Sequence, residues 1–181
     1  MYRLGGVDHG GRWSRLAGVV IAVFVLVAAA GSSIAGGKSF TLRVVKNVHV
    51  DNTALAKKVP VVHVVNTHEA VVVGPTGYAL YTFKGETTHH IICKKTNSQA
   101  TDCWGFWPPA SVSSAKGLKA QPGIKGKLST FTNHGMLQLA LNGHPLYYFT
   151  PDIMSGNKRA ASGALLKTFG STWEIVTPGG K

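Results

Sequence analysis

Cysteine is scarce in this chain, two in 181 residues, which excludes a four-cysteine zinc site and a small scaffold stapled by many disulfides. Charge is thin at 14%, so neither a disordered polyelectrolyte nor a coiled coil fits. Acids are the scarcer charged group, with 7 Asp plus Glu against 19 Lys plus Arg. Also absent are a G-x-S-x-G nucleophile elbow, an H-E-x-x-H metal helix and a glycine-rich phosphate loop. Without those motifs the chain reads as a non-enzyme with no cofactor of its own. No recognition-helix pattern is present, so nucleic acid is not an expected partner.

What the chain does have begins with a hydrophobic run. Arg3, Arg12 and Arg15 precede residues 16–35, which carry no charge, and the next charged residue is Lys38. A basic start followed by an apolar run is the form of an export signal, and Ala28-Ala29-Ala30 or Ser33-Ile34-Ala35 offers a small-residue cleavage site. The uncharged stretch reaches Gly37, however, and about 20 apolar residues span a bilayer. An uncleaved transmembrane signal anchor is therefore the alternative, with the arginines holding its start in the cytoplasm. No cysteine follows the run closely, so no lipid-modified N-terminal cysteine is expected. In either case residues 1–37 are a signal peptide or anchor, and the remainder is extracytoplasmic, secreted or held at the plasma membrane.

That remainder holds 16 basic and 6 acidic side chains, a net +10. Such a body is drawn to anionic lipid or wall polymer in a salt-dependent way. Lys116, Lys119, Lys125 and Lys127 crowd one segment, 114–132, which reads as a lysine-rich linker.

Shifting the sequence by 66 positions lays GYALYTFKGE (77–86) over GHPLYYFTPD (143–152) without a gap. Tyr81 falls on Tyr147, Phe83 on Phe149, Glu86 on Asp152 and, further on, Trp107 on Trp173. The same gapless register puts VVVGPTG over LQLALNG. The body is thus expected to be mainly β, one small domain of two related hairpin-based repeats, 59–113 and 133–178. Residues 38–58 form an N-terminal strand or linker. In the second repeat, 136–141 and 145–149 flank Asn142-Gly143, whose positive φ angles suit a tight hairpin turn. In the first, 69–73 and 78–83 flank Pro75-Thr76-Gly77. FTLRVVKNVHV places Phe40, Leu42, Val44, Val48 and Val50 on one strand face. VPVVHVV, from Val59, is another β-branched run, TWEIV a closing strand, and one short helix is expected near 111–118.

These residues resemble a bacterial family, the secreted repeats of unknown function, predicted lipoproteins with a YxFxxD-type motif. Tyr81-Thr82-Phe83-Lys84-Gly85-Glu86 and Tyr147-Tyr148-Phe149-Thr150-Pro151-Asp152 fit that motif, and Trp107-Pro108-Pro109 is similar to its WPP element. Asn142 to Tyr147 and Gly170 to Val176 match its G-x-P-L-Y and G-x-W segments. The likeness spans about residues 60–178 and implies an extracytoplasmic β protein. It implies no activity.

Three groups of residues are candidates for chemistry. Cys93 and Cys103, an even pair in an exported protein, read as a disulfide. The alternative is a thiolate pair that, with His89 and His90, holds copper or zinc. Trp104, Phe106 and Trp107 form the densest aromatic patch, suited either to the core or to stacking on a flat ligand such as haem. Trp104 has no partner at the 66-residue offset and is the better candidate for exposure. Glu86 and Asp152 read as turn-fixing carboxylates or as one acidic site per repeat. The leading expectation is a non-catalytic protein of the cell envelope that binds an anionic component there. The alternative is an extracytoplasmic metal, haem or redox protein.

Overall fold

The computed structural model describes residues 39–180. The expected signal or anchor lies outside the described residues, among which no helix is long and apolar enough to cross a membrane. The body is mainly β. Strand β1 (Arg43–Asp51) pairs antiparallel with β2 (Asn66–Val73) and parallel with β8 (Ala160–Ala161). A second sheet joins β3 (Tyr81–Phe83), β10 (Ser171–Ile175) and β9 (Lys167–Thr168). The third holds β4 (Ser111–Val112), β6 (Met136–Leu141) and β5 (Leu128–Asn133), with β7 (His144–Pro145) also on β6. Three short helices link them: α1 (Thr53–Ala56), α2 (Cys103–Phe106) and α3 (Thr150–Ser155).

The two hairpins form where their turn chemistry directs. Asn142 and Gly143 take φ of 52° and 75°, the geometry of a two-residue turn that matches strand twist. Gly77 turns the other hairpin at φ 87°, and the Gly74 N–H closes it on the Tyr78 carbonyl. The return strands are buried on both faces. Ala79, Tyr81 and Phe83 point into one core and Leu80 into the other, while Tyr147 and Phe149 alternate with Leu146 and Tyr148 in the same way. This two-sided burial explains why the return segments are nearly continuous apolar runs instead of an apolar–polar alternation.

Residues 66 apart make matching bonds. The Ala110 N–H donates to the Leu146 carbonyl at 2.9 Å, and the Val176 N–H to the Leu80 carbonyl at the same distance. Between the two halves, Tyr81 and Tyr147 exchange both backbone hydrogen bonds, each 2.9 Å. The outgoing strands do not keep the gapless register. Leu80 bonds to Val72 but Leu146 bonds to Leu139, an offset of one more residue, because the turn at Pro75 is one residue longer than the turn at Asn142. VVVGPTG therefore does not lie residue for residue over LQLALNG.

Other expectations are corrected as well. The single apolar face expected for β1 is split by a bulge between Val45 and Val48, with Asn47 at φ 57°. An inserted residue exchanges the two faces of a strand, so Val45, Val48 and Val50 pack in the first core and Leu42 in the second. VPVVHVV is not a strand: it makes one bridge, Val61 to Leu166, and Val62 and Val64 are 48% and 56% exposed. Pro60 lacks a donor, which interrupts any ladder there. The segment 111–118 opens with β4, not a helix, since its residues pair with β6. β5 begins inside the stretch read as a linker.

Candidate functional site

At the centre lies a pile of four rings. Phe149, Trp107, Trp173 and Phe83 stack in that order, with centroid spacings of 4.3, 3.8 and 4.4 Å. The two indoles are nearly parallel, at 6°. Tyr81 meets Trp107 edge-on at 5.3 Å, and Tyr147 meets Trp173 likewise at 5.3 Å. Each phenylalanine thus stacks on the tryptophan of the other half. Trp107 and Trp173 are 1% and 0% exposed, and both faces of Trp107 are covered. A flat ligand therefore finds no free face on it.

Both indole N–H groups donate to one hydroxyl, Thr168 Oγ1, at 3.3 and 2.9 Å. A hydroxyl accepts two such bonds and still carries one proton to donate. Gly163 leaves the room this pile needs, since a Cβ there would stand 2.6 Å from the Trp107 ring.

The two carboxylates follow the same exchange. Tyr81 donates its hydroxyl to Asp152 Oδ2 at 2.6 Å. The other Asp152 oxygen accepts from the Ser162 N–H and hydroxyl, and the Gly163 N–H donates to the Tyr81 oxygen. In the other half, Glu86 Oε1 accepts from the N–H groups of Ile92 and Cys93. Glu86 Oε2 and the Tyr147 hydroxyl, both buried and near enough to act on each other's titration, complete no hydrogen bond among the described residues. Burial raises the pKa of each carboxyl, partly offset by these donors. Burial, reinforced by the nearby carboxylate, also pushes both phenols well above their ordinary range. These acids fix loops in place and face no solvent.

Cys93 and Cys103 form a disulfide with Cα atoms 5.3 Å apart. They offer no thiolate to a metal, and no group of three or more His, Cys, Asp or Glu that could hold an ion occurs among the described residues. His89 and His90 are exposed, in a turn closed by the Thr87–His90 bridge. Trp104 is half-buried instead of free: its indole N–H donates to the Cys93 carbonyl and its ring meets His134 edge-on. Phe106, at 49% exposure, is the exposed aromatic of the patch. It ends α2, a single turn capped by Asp102, whose side chain accepts from the Trp104 N–H.

Beside the pile opens a cavity of about 790 Å³, within the usual size of a small-molecule site. Trp107, Phe149, Leu166 and Cys103 form its buried floor, and Phe106 and Phe169 flank it. Lys94 is its only charged lining residue among the described residues. Sequence reading missed this cavity because its walls come from four separate segments. Thr168 was equally hidden, since its counterpart at the 66-residue offset is Asp102 and carries no shared motif.

The surface is more basic than the composition suggests. Of the six acids beyond the apolar run, Glu86 and Asp152 are buried. The one close charge pair among the described residues joins His49 and Asp51 at 3.8 Å, so no described lysine or arginine is ion-paired. Comparison with protein-family models, curated proteins and solved structures finds no match for the chain.

Proposed function

We propose that this is a non-catalytic, extracytoplasmic protein of the cell envelope, exported by residues 1–37 and either released or retained by them as an anchor. Its body is built from two related hairpin repeats that resemble the secreted-repeat family, and it adheres to an anionic envelope component, lipid or wall polymer. The observation that carries this reading is the unpaired cationic surface: none of the described lysines and arginines has a carboxylate partner. Unpaired surface cations keep their full attraction for a polyanion, which weakens as salt shortens the screening length from about 10 Å at 0.1 M to about 3 Å at 1 M. The matching contacts 66 residues apart support the repeat reading, and the disulfide suits an oxidising compartment.

The test is sedimentation of a chain beginning at Gly36 with anionic vesicles or wall polymer across a salt series. Binding that is strong at low salt and lost at high salt is the expected result. Absent or salt-independent binding overturns the adhesion. A reporter enzyme active only outside the cytoplasm, fused after Lys181, tests export separately.

A further inference from the structure

The cavity beside the ring pile has a composition that selects a ligand. The geometry points to a binding site for a single-chain lipid anion: an apolar tail on the floor and an anionic head at the mouth. The lining is apolar on nearly every side, from Leu55, Val59 and Ile92 across to Leu166. A pocket of this size and polarity favours a ligand that removes a large apolar surface from water.

The shape of that ligand follows from the rings. Trp107 is covered by Trp173 on one face and Phe149 on the other, so it presents only an edge to the cavity. Edges of aromatic rings among aliphatic side chains suit a flexible alkyl chain. They give a stacked planar cofactor no platform.

Two donors set the head group. Lys94 is exposed, carries the only charge in the wall and has no carboxylate partner among the described residues. Thr168, half-buried and also lining the cavity, spends both acceptor positions on the two indoles, and its hydroxyl proton finds no acceptor among the described residues. An ammonium and a free hydroxyl proton are both donors, and together they call for an oxygen anion. Among the described residues no acid lines the cavity to welcome a cationic head or to compete for Lys94. The remaining hydroxyls, Thr96 and Thr101, bond to each other at 2.8 Å and to the Ser98 carbonyl. Lys94 is one of the unpaired surface cations, and the apolar wall is what distinguishes this site from the adhesive surface; loss of vesicle or polymer adhesion leaves the cavity assignment standing, and the reverse holds.

The experiment measures displacement of a neutral fluorescent probe, N-phenyl-1-naphthylamine, from the full-length protein by four sixteen-carbon compounds below their micelle concentrations. These are hexadecanoate, hexadecyl phosphate, hexadecanol and hexadecyltrimethylammonium. Either anion should displace the probe at about tenfold lower concentration than the alcohol, a difference worth about 1.4 kcal/mol, and the ammonium should be weakest. Which anion is tighter identifies a carboxylate or a phosphate source. Lys94→Gln should remove the tenfold advantage and leave hexadecanol unchanged. Ala100→Trp, which puts an indole into the cavity from an exposed position, should abolish displacement from the cavity, while any probe held by the apolar N-terminal run persists. Equal affinity for anion, alcohol and ammonium, or indifference to either substitution, overturns the assignment.

Discussion

The two tyrosine–carboxylate crossings start from tyrosines that exchange backbone hydrogen bonds and end on carboxylates held by different backbone. Tyr81 reaches Asp152 in a 2.6 Å bond, and Ser162 and Gly163 supply three further donors around the pair. At the equivalent place, Tyr147 and Glu86 lie close together but each keeps a buried oxygen without a hydrogen bond among the described residues. The difference lies in what holds the acid. Asp152 stands in the first turn of α3 and is met by a hydroxyl as well as an amide. Glu86 follows a turn at Gly85 (φ 86°) and is met by two amides, one of them belonging to Cys93. In that half the disulfide fixes covalently the loop that Ser162 fixes by hydrogen bonding in the other. What the two crossings share is the ring pile, and among the described residues polar closure is completed at only one of them.

The largest effect should come from the shared part. Trp107→Ala or Trp173→Ala removes a buried indole from the pile and should cost about 3–5 kcal/mol each, read from urea unfolding. Near-equal losses are expected, and a gap of more than about half would mean that the two halves are not equivalent in energy. Next comes the covalent part. Reduction of Cys93–Cys103 releases a short loop and should cost about 2–3 kcal/mol, seen as a lower melting temperature in reductant. The Glu86 crossing should loosen with it, so amide exchange should accelerate at Ile92 and Cys93 before Ser162.

The sharpest test separates the crossings directly. Tyr81→Phe strips a donor from a buried carboxylate and an acceptor from the Gly163 N–H, at a cost of about 1.5–3 kcal/mol. Tyr147→Phe removes a hydroxyl that completes no hydrogen bond among the described residues and should stay within about 0.5 kcal/mol. Similar losses for both would show that the open crossing closes in solution.

Acidity gives the smallest and most diagnostic effect. The native carboxyls of Glu86 and Asp152 are raised above ordinary values of 4.5 and 3.8, chiefly by burial. Between those ordinary values and the raised native ones, the folded state binds more protons than the unfolded, so stability falls as pH rises through that window. Above it the curve is flat with respect to these groups. Glu86→Gln and Asp152→Asn should each flatten part of that slope in chemical denaturation. A slope of the opposite sign would mean that their donors outweigh burial.

Much of the local structure was legible because its causes are local. Asn142-Gly143 specifies its turn whatever surrounds it, and the apolar returns from Ala79 and Leu146 specify buried strands. The bulge at Asn47 escaped notice because an uninterrupted alternation from Leu42 to Val50 satisfies strand periodicity equally well. Val59–Val65 misled for the converse reason: β-branched residues favour a strand only when a partner edge is present.

By itself, the sequence determined the class of fold, the two hairpins and the aromatic and acidic residues that recur 66 positions apart, because turns and alternation act over a few bonds. Only the tertiary structure decided the exchange of partners between halves, which tyrosine found its acid, and the cavity over the disulfide. Those depend on segments up to about a hundred residues apart meeting in space, where loop closure and burial, not neighbouring residues, set the energy.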